Sequence, residues 1–286
     1  PALLELLLPY EKPVLPDINE TSAQTNLPQQ LVTNISEVVE DLPQHLWCKA
    51  EAEIGDPCLS SINPDEPLII LVGDSHINHW ADVIAHVGRT RSYQTLSFPG
   101  CMALTQEELL FDDNMKCPGF EDRLEVLLKT LTPEVIISSS KLYTPLSVFD
   151  NPAAATSWTE RQKAFIERFA PYAKSWLVVG DTPELDLHVP DCLSENRDNV
   201  SRCGRPIEIA TSLVMRAAEQ KLTKDLSRSL GQNIAYVDPA IWLCAESCPG
   251  IRGGLILYRD ENHLSMSASF SYTTKIRAAL DPLLGH

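Results

Sequence analysis

The chain has no apolar run near the ~20 residues needed to span a bilayer. Its most hydrophobic opening, "ALLELLL", is short and interrupted by Glu5. It also lacks positive charge: 23 Lys and Arg stand against 39 Asp and Glu, a formal net charge of −16. Such a field repels phosphate backbones and anionic membrane surfaces, so nucleic acid is not an expected partner. Internal repeats and low-complexity tracts are missing as well. The chain begins at Pro1, with neither an initiator Met nor an intact secretory signal, which leads us to expect further sequence upstream.

What remains is an ordinary globular composition: 286 residues, 44% hydrophobic, long enough for one large domain and an appendage. Residues 1–45 mix Pro, Asn, Gln, Ser and acids and read as a linker or wrapping extension, with one short helix expected within "QQLVTNISEVVEDL". Residues 46–286 are expected to form the main domain.

Eight cysteines fall into close sequential pairs: Cys48 with Cys58, Cys101 with Cys117, Cys192 with Cys203, Cys244 with Cys248. Zinc knuckles would need two Cys-x2-4-Cys pairs, and only the last pair approaches that spacing. Four local disulfides fit better and imply an oxidising compartment, a periplasm or secreted space, as against eight reduced core thiols.

Short apolar runs then alternate with stretches of helical period. Strands are predicted at 68–72, 93–98, 135–138, 176–179 and 234–237. Helices are predicted at 78–87, 120–130, 159–172, 207–230 and 265–280. This alternation implies an α/β fold with right-handed crossovers and a mainly parallel five-stranded sheet between helices, a three-layer α/β/α arrangement. Sites in such sheets form beyond the carboxyl ends of the strands, where "VGDS", "SFPGC", "SSSK" and "VGDTP" all fall.

Within "LIILVGDSHINHW", Gly73 permits a tight turn, and Ser75 at a helix entrance would present its hydroxyl outward and its N–H toward developing negative charge. A serine in that position is equally suited to capping the helix. The second element is "YRDENHLS", residues 258–265, in which Asp260 precedes His263 by three positions. That spacing turns the carboxylate onto one imidazole nitrogen and leaves the other for a serine. A plain acidic turn with Ser265 as helix cap would have the same letters.

"GDSH" after the first strand and "DENH" near the end resemble the first and last sequence blocks of the SGNH, or GDSL-type, hydrolase family. The paired cysteines, "SFPGC" and "YRDENHLS" most resemble the extracytoplasmic domain fused to acyltransferase-family-three membrane proteins, which O-acetylate surface polysaccharides. The resemblance implies an SGNH, flavodoxin-like fold and a Ser-His-Asp triad with Ser75 as nucleophile, His263 as general base and Asp260 as its orienting carboxylate. It implies oxyanion donation from the Ser75 and Gly100 N–H groups. It further implies an O-acetyltransferase acting on cell-surface polysaccharide through an acetyl-serine, tethered to the inner membrane by an upstream acyltransferase domain. Its partners would be an acetylated donor and a glycan acceptor, and no cofactor or metal is called for. A carbohydrate acetylesterase and a weak glycan-docking module are the alternatives. One block departs from the family: where Gly-x-Asn-Asp is expected after the third strand, the chain has "IISSSKLYTP". Ser139, Ser140 and Lys141 are the candidate substitutes for the absent Asn, whose loss would cost about 3 kcal/mol of transition-state stabilisation.

Other motifs carry less. "VVGDTPEL" repeats the strand-Gly-Asp pattern at Gly180, Asp181 and Thr182 and reads as a crevice lining. His76 and His79 lack a carboxylate-rich ligand set, so no metal is expected; at most one of them shapes the pocket, and His79 reads as a packed helix residue. His45, His86 and His188 have no motif around them. Trp80, Trp176 and Trp242 read as core, and Trp158, in a loop-like stretch, as a possible sugar platform.

Overall fold

The computed structural model describes residues 26–27, 35–45, 48–49, 52–53, 56, 58–59, 62–105, 117–142 and 152–285. Five parallel strands form its sheet: β1 (Leu68–Gly73), β2 (Gln94–Pro99), β3 (Val135–Ser139), β4 (Ser175–Val179) and β5 (Asn233–Val237), in the order β2-β1-β3-β4-β5. Each predicted strand is present, displaced by at most one residue at either end. Alternation along β1 explains the two cores. Ile69 and Leu71 face a layer with Trp80, Ile84 and Ile276. Leu68, Ile70 and Val72 face another with Phe98, Phe120, Leu124, Phe165 and Trp176. Because both faces are covered, the strands are apolar throughout rather than alternating.

The helices α1 (Ser75–Arg89), α2 (Phe120–Leu131) and α3 (Pro152–Phe169) follow the first three strands. After β4 come α4 (Val189–Glu195), α5 (Ile207–Ala210) and α6 (Leu213–Leu230), and after β5 come α7 (Ala240–Leu243), α8 (Met266–Ser271) and α9 (Thr273–Leu280). Two predicted helices are each broken in two. Thr211 takes an extended conformation between α5 and α6, and the Ser212 hydroxyl accepts from the Met215 N–H to start α6 afresh. Tyr272 divides α8 from α9. The helix predicted at 159–172 starts earlier, at Pro152, which puts Trp158 on α3 and not in a loop. The Trp158 indole donates to the buried Glu219 carboxylate at 2.9 Å, which explains its position as packing.

Most of residues 1–45 lies outside the described residues, including much of the helix expected at 29–42; a single 3-10 turn occupies Val38–Glu40. The described part of this segment packs against the domain. Ile35 is buried in the first core, the Asp41 carboxylate accepts the Ser267 N–H at the start of α8, and Gln44 N–H donates to Asp82 on α1. The four expected disulfides are all formed, with Cα–Cα distances of 5.6, 6.0, 5.7 and 4.3 Å in chain order. No helix among the described residues is long and apolar enough to cross a membrane.

Candidate active site

The strand order reverses at β1, whose neighbours β2 and β3 lie on opposite sides, the point at which sheets of this kind form a crevice between the following loops. Gly73 closes β1 there, in register with Ser139 of β3. A Cβ at Gly73 would run into the Ser139 carbonyl, so no larger residue fits where the chain turns upward. Asp74, not Ser75, caps α1: its carboxylate accepts the His76 N–H at 2.9 Å and, across the crevice, the Lys141 N–H at 2.8 Å. Ser75 is thereby the first residue of the helix, half-buried, and its N–H has no intrahelical acceptor.

The loop carrying Asp260 and His263 is a tight excursion closed by the Tyr258–Leu264 bridge and by the Arg259 N–H donating to the His263 carbonyl at 2.9 Å. Asp260 divides its two oxygens. Oδ1 accepts the backbone N–H groups of Asn262 (2.9 Å) and His263 (2.7 Å), which fixes the turn. Oδ2 lies 2.7 Å from His263 Nδ1. The opposite ring nitrogen, Nε2, lies 2.8 Å from Ser75 Oγ. Ser265 then caps α8 through the Ala268 N–H, so one serine in this block is a cap and the turn is not merely a surface feature. The loop after β4 braces the assembly: Leu185 N–H donates to Glu261 O at 2.9 Å and Thr182 Oγ1 to Asn262 O at 3.2 Å.

Burial alone would raise the Asp260 pKa. The hydrogen bond to His263, the two amides and the His263 charge outweigh it and bring the group to about 2. The carboxylate therefore stays ionised beside the imidazole at any pH above about 4, as a group that must stabilise an imidazolium has to.

A second carboxylate–imidazole pair sits behind the first. His76 Nδ1 lies 2.5 Å from Asp181 Oδ1, and both side chains are buried. Burial disfavours both charges, yet their mutual attraction raises the His76 pKa and lowers that of Asp181. Asp181 Oδ2 accepts the Leu142 N–H, and its carbonyl accepts from the buried Arg216 guanidinium at 2.7 Å. Sequence reading left Asp181 as a crevice lining; its pairing with a helix residue 105 positions away was missed, although the repeated strand-Gly-Asp pattern was its signal. His79 is buried too, and desolvation with the nearby His76 charge pushes its pKa well below the usual imidazole value.

The oxyanion candidates fare unequally. Gly100 follows β2 with a positive φ of 117°, and its N–H already donates to the Gly73 carbonyl at 2.9 Å. Of the substitutes for the absent Asn, Ser139 is buried, Ser140 Oγ accepts the Ala103 N–H at 2.9 Å, and Lys141 Nζ reaches Glu184 at 3.3 Å.

Residues 44–275 match the family described as the SGNH domain fused to AT3 domains. No curated protein matches the sequence. Among solved structures, the chain is similar to the periplasmic domain of a lipopolysaccharide acetyltransferase from Salmonella ser. Paratyphi A, with 16% identity, a TM-score of 0.56 and coverage of 89% of this chain and 97% of that one. A salicylyl-acyltransferase of a tetracycline biosynthetic pathway gives 15% identity and a TM-score of 0.45 over 77% of this chain and 55% of that one. A GDSL-like lipase from Bacteroides thetaiotaomicron gives 10% and 0.43 over 78% and 90%. At 16% identity the Salmonella domain speaks to the fold alone, and the family match agrees with it. The chain belongs to the family of SGNH domains fused to AT3 domains.

Proposed function

We propose that the domain is a serine-dependent O-acetyltransferase acting on cell-surface polysaccharide. The observation that carries this reading is the continuous relay from Asp260 Oδ2 through His263 to Ser75 Oγ, with distances of 2.7 and 2.8 Å, within a family fused to acyltransferase domains. Ser75 Oγ attacks the acetyl carbonyl as His263 Nε2 takes its proton, and the Asp260 carboxylate stabilises the imidazolium. The Ser75 N–H, at the positive end of the fifteen-residue α1, faces the tetrahedral oxyanion. Gly100 N–H joins it only by giving up or sharing the Gly73 carbonyl. Collapse expels the donor's leaving group, which takes the proton from His263, and leaves acetyl-Ser75; His263, neutral again, then deprotonates an acceptor hydroxyl that attacks the acetyl carbonyl, and Ser75 Oγ leaves with that proton.

Residues 46–286 form the catalytic unit in this reading, and 1–45 an extension from an upstream membrane acyltransferase domain that supplies the acetyl group. The four disulfides support an extracytoplasmic, periplasmic location. The name of the Salmonella neighbour supports a lipopolysaccharide-type acceptor. An acetylesterase is the second reading, favoured by the half-buried Ser75, to which water has access.

The test is a fluorophosphonate label and 4-nitrophenyl acetate turnover, both expected in the wild type and lost in Ser75→Ala. Equal behaviour of the two proteins would refute the nucleophile and leave a glycan-docking module. An acetyl donor with candidate oligosaccharides, products weighed by mass spectrometry, separates transfer from hydrolysis: free acetate alone counts against transfer.

A further inference from the structure

Three imidazoles converge beside Ser75. His76 and His79, one turn apart on α1, have ring centroids 4.6 Å from each other and 5.2 and 5.1 Å from the ring of His263. One nitrogen from each of the three lies within 4.8 Å of the others. The two helix histidines alone made no ligand set; the fold adds the third ring and the carboxylates behind.

The outer contacts are arranged as a metal site requires. His76 Nδ1 is held by Asp181, His263 Nδ1 by Asp260 at 2.7 Å, and His79 Nδ1 faces Thr182 Oγ1 at 3.5 Å. An oxygen partner on one ring nitrogen fixes orientation and directs the other nitrogen at a metal. The nitrogens so directed are the Nε2 atoms. Those of His76 and His79 are buried, with no hydrogen-bond partner among the described residues, and that of His263 meets only Ser75 Oγ. Two unpartnered nitrogens in residues 1% and 2% exposed are costly without a ligand.

We propose that His76, His79 and His263 form an inhibitory site for a zinc-like transition-metal ion, each binding through Nε2. Three imidazole nitrogen donors, the ion displacing the proton that His76 carries beside Asp181, select zinc, copper or nickel over calcium and magnesium. Zn–N bonds of about 2.0–2.1 Å place tetrahedral ligand atoms roughly 3.3–3.4 Å apart, against the separations of up to 4.8 Å between one nitrogen of each ring, so binding draws the rings together. His263 can supply that movement, being on a loop with its side chain 22% exposed. The ion then occupies the lone pair that would deprotonate Ser75, and water or Ser75 Oγ completes the tetrahedron. Metal binding stands on the geometry alone, whereas inhibition rests on the proposed role of Ser75.

Tag-free protein is titrated with zinc against a chromophoric chelator, and Ser75 labelling by fluorophosphonate is followed in parallel. One ion per chain is expected, with affinity weakened roughly tenfold or more by His79→Gln and by His263→Ala, and unchanged by His188→Ala. Zinc should block labelling and EDTA restore it. His263→Ala alters an accessible loop, so it remains informative if His79→Gln fails to fold. Absence of stoichiometric binding, equal affinity in wild type and His263→Ala, or zinc bound at one equivalent without slowing a label that otherwise reacts would each overturn the site. If the metal-free protein takes no label at all, the nucleophile reading fails, and the chelator titration still decides whether the metal binds.

Discussion

Ser75 Oγ and His263 Nε2 stand 2.8 Å apart although 188 positions separate them in the chain. Two unrelated local devices produce that approach. Asp74 caps α1 and leaves Ser75 at its first position, and Asp260 folds a short turn that points the imidazole back across the crevice. The sheet supplies the rest by bringing to the same edge the end of β1 and the loop after β4, whose Leu185 N–H holds the His263 turn through the Glu261 carbonyl.

Asp260→Asn should separate orientation from folding. The Asn oxygen can still accept the amides of Asn262 and His263, so the turn persists. Its NH2 group would face His263 Nδ1 and impose the tautomer that carries a proton on Nε2, which cannot then accept from Ser75. The expected result is a fall in kcat for 4-nitrophenyl acetate of roughly 10²–10⁴ with near-native circular dichroism.

Gly73→Ala tests the crevice itself. The added methyl meets the Ser139 backbone carbonyl, which cannot move without disturbing the β1–β3 pairing. Overpacking of this kind costs about 1–3 kcal/mol, and it also tilts the turn that presents Ser75. A lower urea midpoint with loss of fluorophosphonate labelling is expected; a wild-type midpoint would show that β1 and β3 part more easily than their packing implies.

The disulfides can be checked without an activity. Mass mapping of unreduced protein should return the pairs Cys48–Cys58, Cys101–Cys117, Cys192–Cys203 and Cys244–Cys248. The Cys101–Cys117 bridge joins residues 16 positions apart, immediately after Gly100, and removing it as the double Ser variant should destabilise the fold by about 3 kcal/mol through loop entropy. Alkylation of all eight thiols in native protein would contradict the pairing.

The sheet was legible because its strands are continuous apolar runs ending in Gly, Asp and Ser at one edge, a pattern that burial on both faces imposes. Ser75, Asp260 and His263 were legible as local blocks. The helix breaks at Thr211 and Tyr272 were not, since the apolar period continues across them and only the cap at Ser212 and the packing of Tyr272 beside Trp80 and Trp242 divide the runs. Nor was the engagement of Gly100 N–H by Gly73, which depends on how two loops from different strands meet. The pairing of His76 with Asp181 was not legible for the same reason: the strand-Gly-Asp repeat marks Asp181 but not its partner, and the contact exists only once β1 and β4 are set on either side of β3.

That buried pair predicts a pH window. Asp181 has a folded pKa below its ordinary 3.8, so its stabilising contribution is present above about that pH and is lost as the pH falls through the folded value. His76 has a folded pKa above its ordinary 6.5, so its contribution is complete below that pH and is lost as the pH rises through the folded value. The two conditions overlap between about pH 4 and 6.5. Asp181→Asn removes the charge that holds the imidazolium while leaving an acceptor for the Leu142 N–H. Urea unfolding of wild type and variant should therefore differ most within that window, by about 3–5 kcal/mol if the charged His76 is left without a partner. The gap should narrow above it, because His76 can then fold neutral in both proteins. A difference that stays constant from pH 5 to pH 9 would mean that Asp181 acts through the Leu142 amide alone and that the pair carries no charge.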